Sequence, residues 1–311
     1  MGGMQVLEEL AKKQFGVVSR QQVVGALVHR SCVASKVKTG ELERVHEMAY
    51  RLRGAPETWE RRAFEALFIA GAGSALSHQT AAWLHGLDGF TRPEAIDVCV
   101  VGGLPRARAS VKFHRWRGGQ GRPVLRRSLP VTSLERTVVD LAGHLTPEEL
   151  ELAVDSAQRK YRKFGAWLDT HLELVKPRKP QGTPGLTALL DLIKLRRGDG
   201  PTDSPLEVKV LRKLRTSGLL AHLKQYEVYD LNGDYGMRLD FCWPHLKVAL
   251  HVDGYLWHSQ RERFDRDARQ RSRLAALGWR TITVTHNTLA DGSWLSDLRA
   301  LLNPQSELAL Q

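Results

Sequence analysis

Asp240 and Asp253 lie in two runs, YGMRLDFCW and KVALHVDG, that read as strands joined by a tight turn at Pro244, His245 and Leu246. Alternate residues of a strand share a face. That rule places Arg238, Asp240 and Cys242 on one side of the first strand, with Leu239 and Phe241 on the other. In the second strand it groups His251 with Asp253, while Val248, Leu250 and Val252 point oppositely into an apolar layer. Carboxylates that meet across a sheet are costly unless a cation or hydrogen bonds compensate them. Asp240 near Asp253 therefore points to a divalent metal site, with His251 as a third candidate ligand. Just beyond, GYLWHS contains Gly254, which permits a sharp turn, and His258, which can swing back toward the acids. An imidazole titrating near neutrality there could assist proton transfer.

A fourth acid, Glu207, sits in SPLEVKVLRKLRTSGL, an amphipathic helix with Ser204 as N-cap and Pro205 at its first position. Its place three residues after the cap makes it either the acidic half of a capping box or an acid of the active site. After the strands, RERFDRDARQRSRLAALGWR reads as a helix carrying Arg261, Arg263, Arg266 and Arg269 among its arginines. Guanidinium groups grip phosphates bidentately, so this helix is expected to line a channel for a DNA backbone. The alternative is a solvated face ion-paired through Glu262, Asp265 and Asp267. TITVTHNTL, with Ile282 and Val284 alternating, reads as a further strand.

The elements needed upstream form two more groups. In the first, Val6, Leu7 and Leu10 mark a helix ending near Gly16, and Ser19 can cap a second helix. Ser31 can cap a third, which stops at Gly40. ELERVHEMAYRL follows as two short strands. Three helices and a strand pair, with Arg30, Lys36, Lys38 and Arg44 on the third helix and the wing, is the layout of a winged helix-turn-helix reading a major groove. A three-helix bundle with a solvated lysine face has the same periodicity. In the second group, residues 56–197 mix helices (RAFEALFIAGAGSALSHQTAAWLHGL, PVTSLERTVVDLAGHL, PEELELAVDSAQRKYRK) with strands (AIDVCVVGG, ASVKFHRW). His78, His85 and His114 read there as scattered surface or core residues. KPRKPQGTPG and LRRGDGPTDS are the linker-like stretches, with a domain boundary expected between Gly198 and Asp203.

Composition agrees with a polyanionic partner. Lys and Arg number 46 against 34 Asp and Glu, a formal charge of +12. The three cysteines, Cys32, Cys99 and Cys242, form no CxxC pair, so neither a disulfide framework nor a cysteine zinc site is expected. No signal peptide is visible, and no stretch approaches the roughly 18 apolar residues of a membrane helix, so a cytoplasmic protein without membrane contact is expected. Motifs for a serine hydrolase, a phosphate-loop NTPase or a zincin do not occur.

Two resemblances extend these readings. VVSRQQVVGAL with VKTGELERVHEMAYRL, then GSALSHQTAAWLHGL, then PVTSLERTVVDLA, resemble in order the AbiEi-type antitoxins of type IV toxin–antitoxin systems. That resemblance implies a DNA-binding winged helix followed by an α/β domain, autoregulation on double-stranded DNA, and a cognate toxin as partner. LExKxLRxLRxxGL, RLDFCWP, VALHVDGYLWH and RFDRDARQRSRLAALGWRTITVT resemble the very-short-patch-repair-like branch of the PD-(D/E)XK nucleases. This second resemblance implies phosphodiester hydrolysis assisted by Mg²⁺ or Mn²⁺. Asp240 matches the central metal-ligating aspartate and Glu207 the first-helix acid, while Asp253 and His258 fall at catalytic or metal-adjacent positions. One position departs: where close relatives read Glu-x-Asp-Gly, this chain has His251. A nuclease, or a DNA-binding antitoxin or repressor whose nuclease fold has lost catalysis, are the two functions these residues leave open. The expected fold class is α/β of the α+β kind. Residues 1–55 would form a winged helix-turn-helix, 56–197 an AbiEi-like α/β domain, and 203–305 a restriction-endonuclease-like mixed sheet flanked by helices.

Overall fold

A computed structural model describes residues 2–27, 29–106, 109–116, 122–175, 185–196, 202–219, 223–229, 235–254 and 261–303. It is an α+β protein with three sheets among the described residues, and its chain divides into two compact units, Met1–Gly200 and Pro201–Gln311. No described helix is long and apolar enough to cross a membrane.

The N-terminal unit opens with α1 (Gly3–Lys13), β1 (Val17–Ser19), α2 (Arg20–Leu27), α3 (Arg30–Lys38), β2 (Leu42–His46) and β3 (Ala49–Leu52). Leu7, Ala11, Val18, Val23, Leu42 and Tyr50 form its small core. Ser19 caps α2 as its sequence position suggests: its Oγ accepts from the Gln22 N–H, and the Gln22 side chain accepts from the Ser19 N–H. Ser31 does not cap α3. That helix starts at Arg30 with His29 at the cap, which leaves Ser31 inside its first turn. The strand β1, absent from the sequence reading, pairs with β3 in the sheet order β1-β3-β2. Three residues are too few to show periodicity.

The rest of this unit comprises α4 (Trp59–Ala70), β4 (Ala75–Leu76), α5 (His78–Leu84), β5 (Ile96–Val100), β6 (Val111–Arg115), β7 (Val124–Arg126), β8 (Leu129–Val131), α6 (Leu134–Leu141), α7 (Pro147–Lys160), α8 (Phe164–Val175) and α9 (Leu186–Leu195). The sheet order is β6-β5-β4-β8-β7. Val17 of β1 is buried with Trp59, Phe64, Leu76, Val98 and Val131, and Arg51 of β3 pairs with Glu65 of α4. The first six elements therefore share a core and an ion pair with the elements that follow.

The C-terminal unit contains α10 (Pro205–Thr216), β9 (Leu223–Tyr229), β10 (Tyr235–Trp243), a short 3₁₀ turn at Pro244–Leu246, β11 (Val248–Asp253), α11 (Arg261–Ala276), β12 (Arg280–Thr285), α12 (His286–Asp291) and α13 (Trp294–Leu302). Its mixed sheet runs β12-β11-β10-β9, with β11 and β12 parallel and the other pairs antiparallel. Helices cover both faces. Val210, Leu211 and Leu214 of α10 and Trp294 and Leu298 of α13 pack on Phe241, Trp243, Val248, Leu250 and Val284. Leu274 of α11, with Trp279, packs on Val228, Leu239, Cys242 and Ala249. Strand β12 ends where the Thr285 Oγ1 accepts from the Thr288 N–H, so HNTL opens α12 instead of extending the strand.

Candidate functional site

The alternation expected along β10 does not survive at Asp240. Leu239 packs with Met237 and Cys242 on the α11 side, whereas Phe241 and Trp243 pack on the α10 side. Leu239 and Phe241 thus lie on opposite faces, and Cys242 leaves the polar row for an apolar cluster, where burial pushes its thiol up to about 11. Pairing of Leu239 with Tyr226 and Phe241 with Lys224 sets Gln225 opposite Asp240. Gln225 adopts a left-handed backbone (φ 51°), a conformation that disturbs a regular ladder. Asp240 sits at this irregularity, and its Oδ2 accepts a hydrogen bond of 2.8 Å from the Val252 N–H of the neighbouring strand. Burial raises its pKa; the Val252 N–H and nearby His251 oppose that rise, and Asp203 adds to it.

Strand β11 keeps its alternation. Val248, Leu250 and Val252 join the apolar layer under α10 and α13, which leaves His251 and Asp253 on the other face. Asp240, His251 and Asp253 line one cleft of about 240 Å³ together with Met237, Gln270, Arg271 and Thr283. Thr283 of β12 stands beside His251 by register, and Gln270 and Arg271 come from α11. The sequence reading singled out none of these last three. Gln270 and Arg271 lie one helical turn before buried Leu274, a spacing that would have marked the inward face of α11. Arg269 is exposed. Arg261, Arg263 and Arg266 belong to α11, but their side chains lie outside the described residues, as does His258 altogether.

Glu207 is 4% exposed and engaged at both carboxylate oxygens. Oε1 accepts from the Ser204 hydroxyl (2.9 Å), and Oε2 from the Asp203 N–H and the Gln225 side-chain amide (both 3.0 Å). It supports the Ser204 N-cap through the Ser204 hydroxyl and the Asp203 N–H, and through Gln225 it also braces the strand opposite Asp240. Burial raises its pKa, these hydrogen bonds oppose the rise, and the charge of Asp240 adds to it. Asp203 meanwhile pairs with Arg238.

The donor set of the cleft suits a hard divalent ion in part. Among the described residues, the three-residue groups whose donor atoms approach within 4.8 Å of one another both lie in the N-terminal unit. Asp240, His251 and Asp253 share a cleft without closing on one point. Mg²⁺ is commonly held by one or two carboxylates, with water and substrate phosphate supplying the remainder, and the two aspartates meet that requirement.

At the N-terminal end of the chain, Lys38 and Arg44 are exposed. Lys36 is held by Glu41 at 2.6 Å. Arg30 opens α3, but its side chain lies outside the described residues.

No family model matches the chain. Two uncharacterized proteins of Mycobacterium tuberculosis, Rv2248 of strain H37Rv and MT2308 of strain CDC 1551, are each 25% identical to it over 249 residues, 80% of this chain and 87% of theirs. The crystal structure of RV2827C protein from the same organism aligns with 57% of this chain and 82% of its own, at 17% identity and a TM-score of 0.28.

Proposed function

We propose that the chain is a DNA-binding protein whose C-terminal unit hydrolyses or nicks phosphodiester bonds with Mg²⁺ or Mn²⁺. One observation carries this reading: Asp240 and Asp253 line the same cleft on a mixed sheet, beside an arginine-bearing helix. Asp240 and Asp253 would hold the ion, with His251 beside them; when bound, a divalent ion polarises a phosphodiester and lowers the pKa of an attacking water. The Val252 N–H fixes the Asp240 carboxylate, leaving Oδ1 outside that hydrogen bond. Arg271 contributes a cation at the cleft for phosphate. Lys38 and Arg44 would contact the duplex from α3 and the wing.

The second reading is a DNA-binding antitoxin or repressor, with a cognate toxin as partner and a nuclease fold that no longer cuts. Two features favour it. His251 brings no negative charge to a site that holds a hard ion, and both Glu207 oxygens are committed to the cap and to Gln225. The readings separate when pure, full-length protein is incubated with supercoiled plasmid in Mg²⁺ or Mn²⁺, with EDTA and Asp240→Ala controls. Metal-dependent nicking lost in the variant supports the nuclease. Duplex binding without cleavage supports the repressor.

A further inference from the structure

The N-terminal unit gathers three histidines that are far apart in sequence. His78 begins α5, His114 lies on β6, and His144 lies between α6 and α7. The His78 and His114 rings stack with centroids 3.7 Å apart, and His144 meets them edge-on at 4.8 and 5.8 Å. One ring nitrogen from each lies within 4.8 Å of the others. Of the histidines read from the sequence as scattered, only His85 fits that description, buried with its Nε2 2.8 Å from the Thr132 carbonyl.

Each ring of the cluster has one nitrogen already engaged. His78 Nδ1 is 2.9 Å from the Ser77 hydroxyl, His114 Nε2 is 2.8 Å from Asp97 Oδ1, and His144 Nδ1 is 3.1 Å from the Asp140 carbonyl. His78 Nε2, His114 Nδ1 and His144 Nε2 take no part in those bonds. Histidines that bind metals show this pattern, with one nitrogen on the ion and the other oriented by a carboxylate, hydroxyl or carbonyl. Asp97 is itself fixed, since its N–H donates to Thr80 Oγ1 at 2.9 Å.

Two further features lie beside the cluster. Asp140 is buried; its Oδ1 accepts from Arg136 Nε at 2.8 Å, while its Oδ2 has no hydrogen-bond partner among the described residues. That carboxylate forms, with His78 and Cys99, a second group of donors within 4.8 Å of one another. The Arg136 guanidinium already compensates the charge of Asp140, so its Oδ2 counts as a further donor beside His78 and not as a demand for a cation. His78 also has a left-handed backbone (φ 48°), strain that a non-glycine residue keeps only where its surroundings hold it.

We propose that His78, His114 and His144 bind a late first-row divalent ion, of which zinc is the natural occupant, with a fourth position open beside exposed His144. Three imidazoles select this class over Mg²⁺ or Ca²⁺, and three protein ligands with an open position is the coordination of catalytic zinc. The site belongs to the N-terminal unit and does not depend on the nuclease reading.

The test titrates Co²⁺ into tag-free, full-length, metal-stripped protein in excess Mg²⁺, reading visible absorption, with Zn²⁺ competition. One equivalent giving the intense d–d bands of tetrahedral cobalt, displaced by Zn²⁺, is expected. His144→Ala, at an exposed position, should retain the circular dichroism of the parent and weaken Co²⁺ binding at least about tenfold, and His114→Ala should do likewise. Absence of tetrahedral bands, or binding unchanged in both variants, would overturn the proposal. Strong sulfur-to-cobalt charge transfer would overturn the three-histidine assignment in favour of the Cys99 group.

Discussion

At the scale of single residues, Asp240 illustrates a site held against its own stability. Its carboxyl group is half-buried at a break in the β-ladder, and burial outweighs the Val252 N–H in raising its pKa. A carboxyl with a raised folded-state pKa binds protons more tightly in the folded chain than in the unfolded one. Stability then falls as pH rises through the ordinary carboxylate range and up to the raised value. Asp240→Asn keeps an oxygen for Val252 and removes the charge. It should stabilise the C-terminal unit by about 0.5–2 kcal/mol at neutral pH, the range typical when a functional group is replaced by a merely structural one. Urea unfolding at pH 7 and pH 4 checks this, because the gain should shrink at the lower pH. A loss of stability at pH 7 would mean that the charge is compensated within the fold. Glu207 contrasts with Asp240, since its oxygens are satisfied by neighbours that also cap a helix, and its role is legible as structure before chemistry.

At the scale of elements, the proposed DNA binding would use exposed Lys38 of α3 and Arg44 of β2 on phosphate, whereas Lys36 is tied to Glu41. Each phosphate contact contributes about 0.9 to the slope of log affinity against log salt. The double variant Lys38→Ala, Arg44→Ala should therefore flatten that slope by about 2, measured by fluorescence anisotropy on a duplex. An unchanged slope would remove these two residues from the interface. Several of these elements are legible in the sequence, because helices α2 and α10 carry explicit caps and β11 alternates cleanly between layers. The sequence reading missed β9, an edge strand whose inward face is marked only by Tyr226 and Val228, too short an alternation to stand out. It also missed β1, β4, β7 and β8, which are too short for a period, and it left the helices α8 and α13 unread. The face exchange at Asp240 was hidden for a different reason. A left-handed residue on the partner strand, Gln225, leaves no mark in the sequence of β10. The histidine cluster was hidden because its members meet only through tertiary packing of α5, β6 and the segment after α6.

At the scale of the whole molecule, the positive charge is unevenly shared. Met1–Gly200 carries 31 basic and 21 acidic residues, and Pro201–Gln311 carries 15 and 13. The helix α11 is rich in arginine, yet its unit is close to neutral, so non-specific attraction to DNA should arise mainly in the N-terminal unit. The C-terminal unit has its own apolar layers on both faces of its sheet. A fragment beginning at Pro201 should unfold cooperatively in urea, with a slope of about 1–3 kcal/mol/M, and bind duplex at least about tenfold more weakly than the full chain at low salt. A non-cooperative transition would show that the unit needs the rest of the chain to fold. Equal affinity would place the dominant DNA contacts on its own surface.

The nuclease reading is tested most directly by comparing full-length protein with Asp240→Ala on supercoiled plasmid, with duplex affinity measured in parallel. Mg²⁺- or Mn²⁺-dependent nicking by the parent, abolished by EDTA, is expected, with a loss of at least about 10²–10³-fold in the variant, the scale that follows when a main electrostatic contributor to the transition state is removed, and duplex affinity within a few-fold. Nicking of equal rate in both proteins, or binding by the parent with no metal-dependent cleavage, would contradict it.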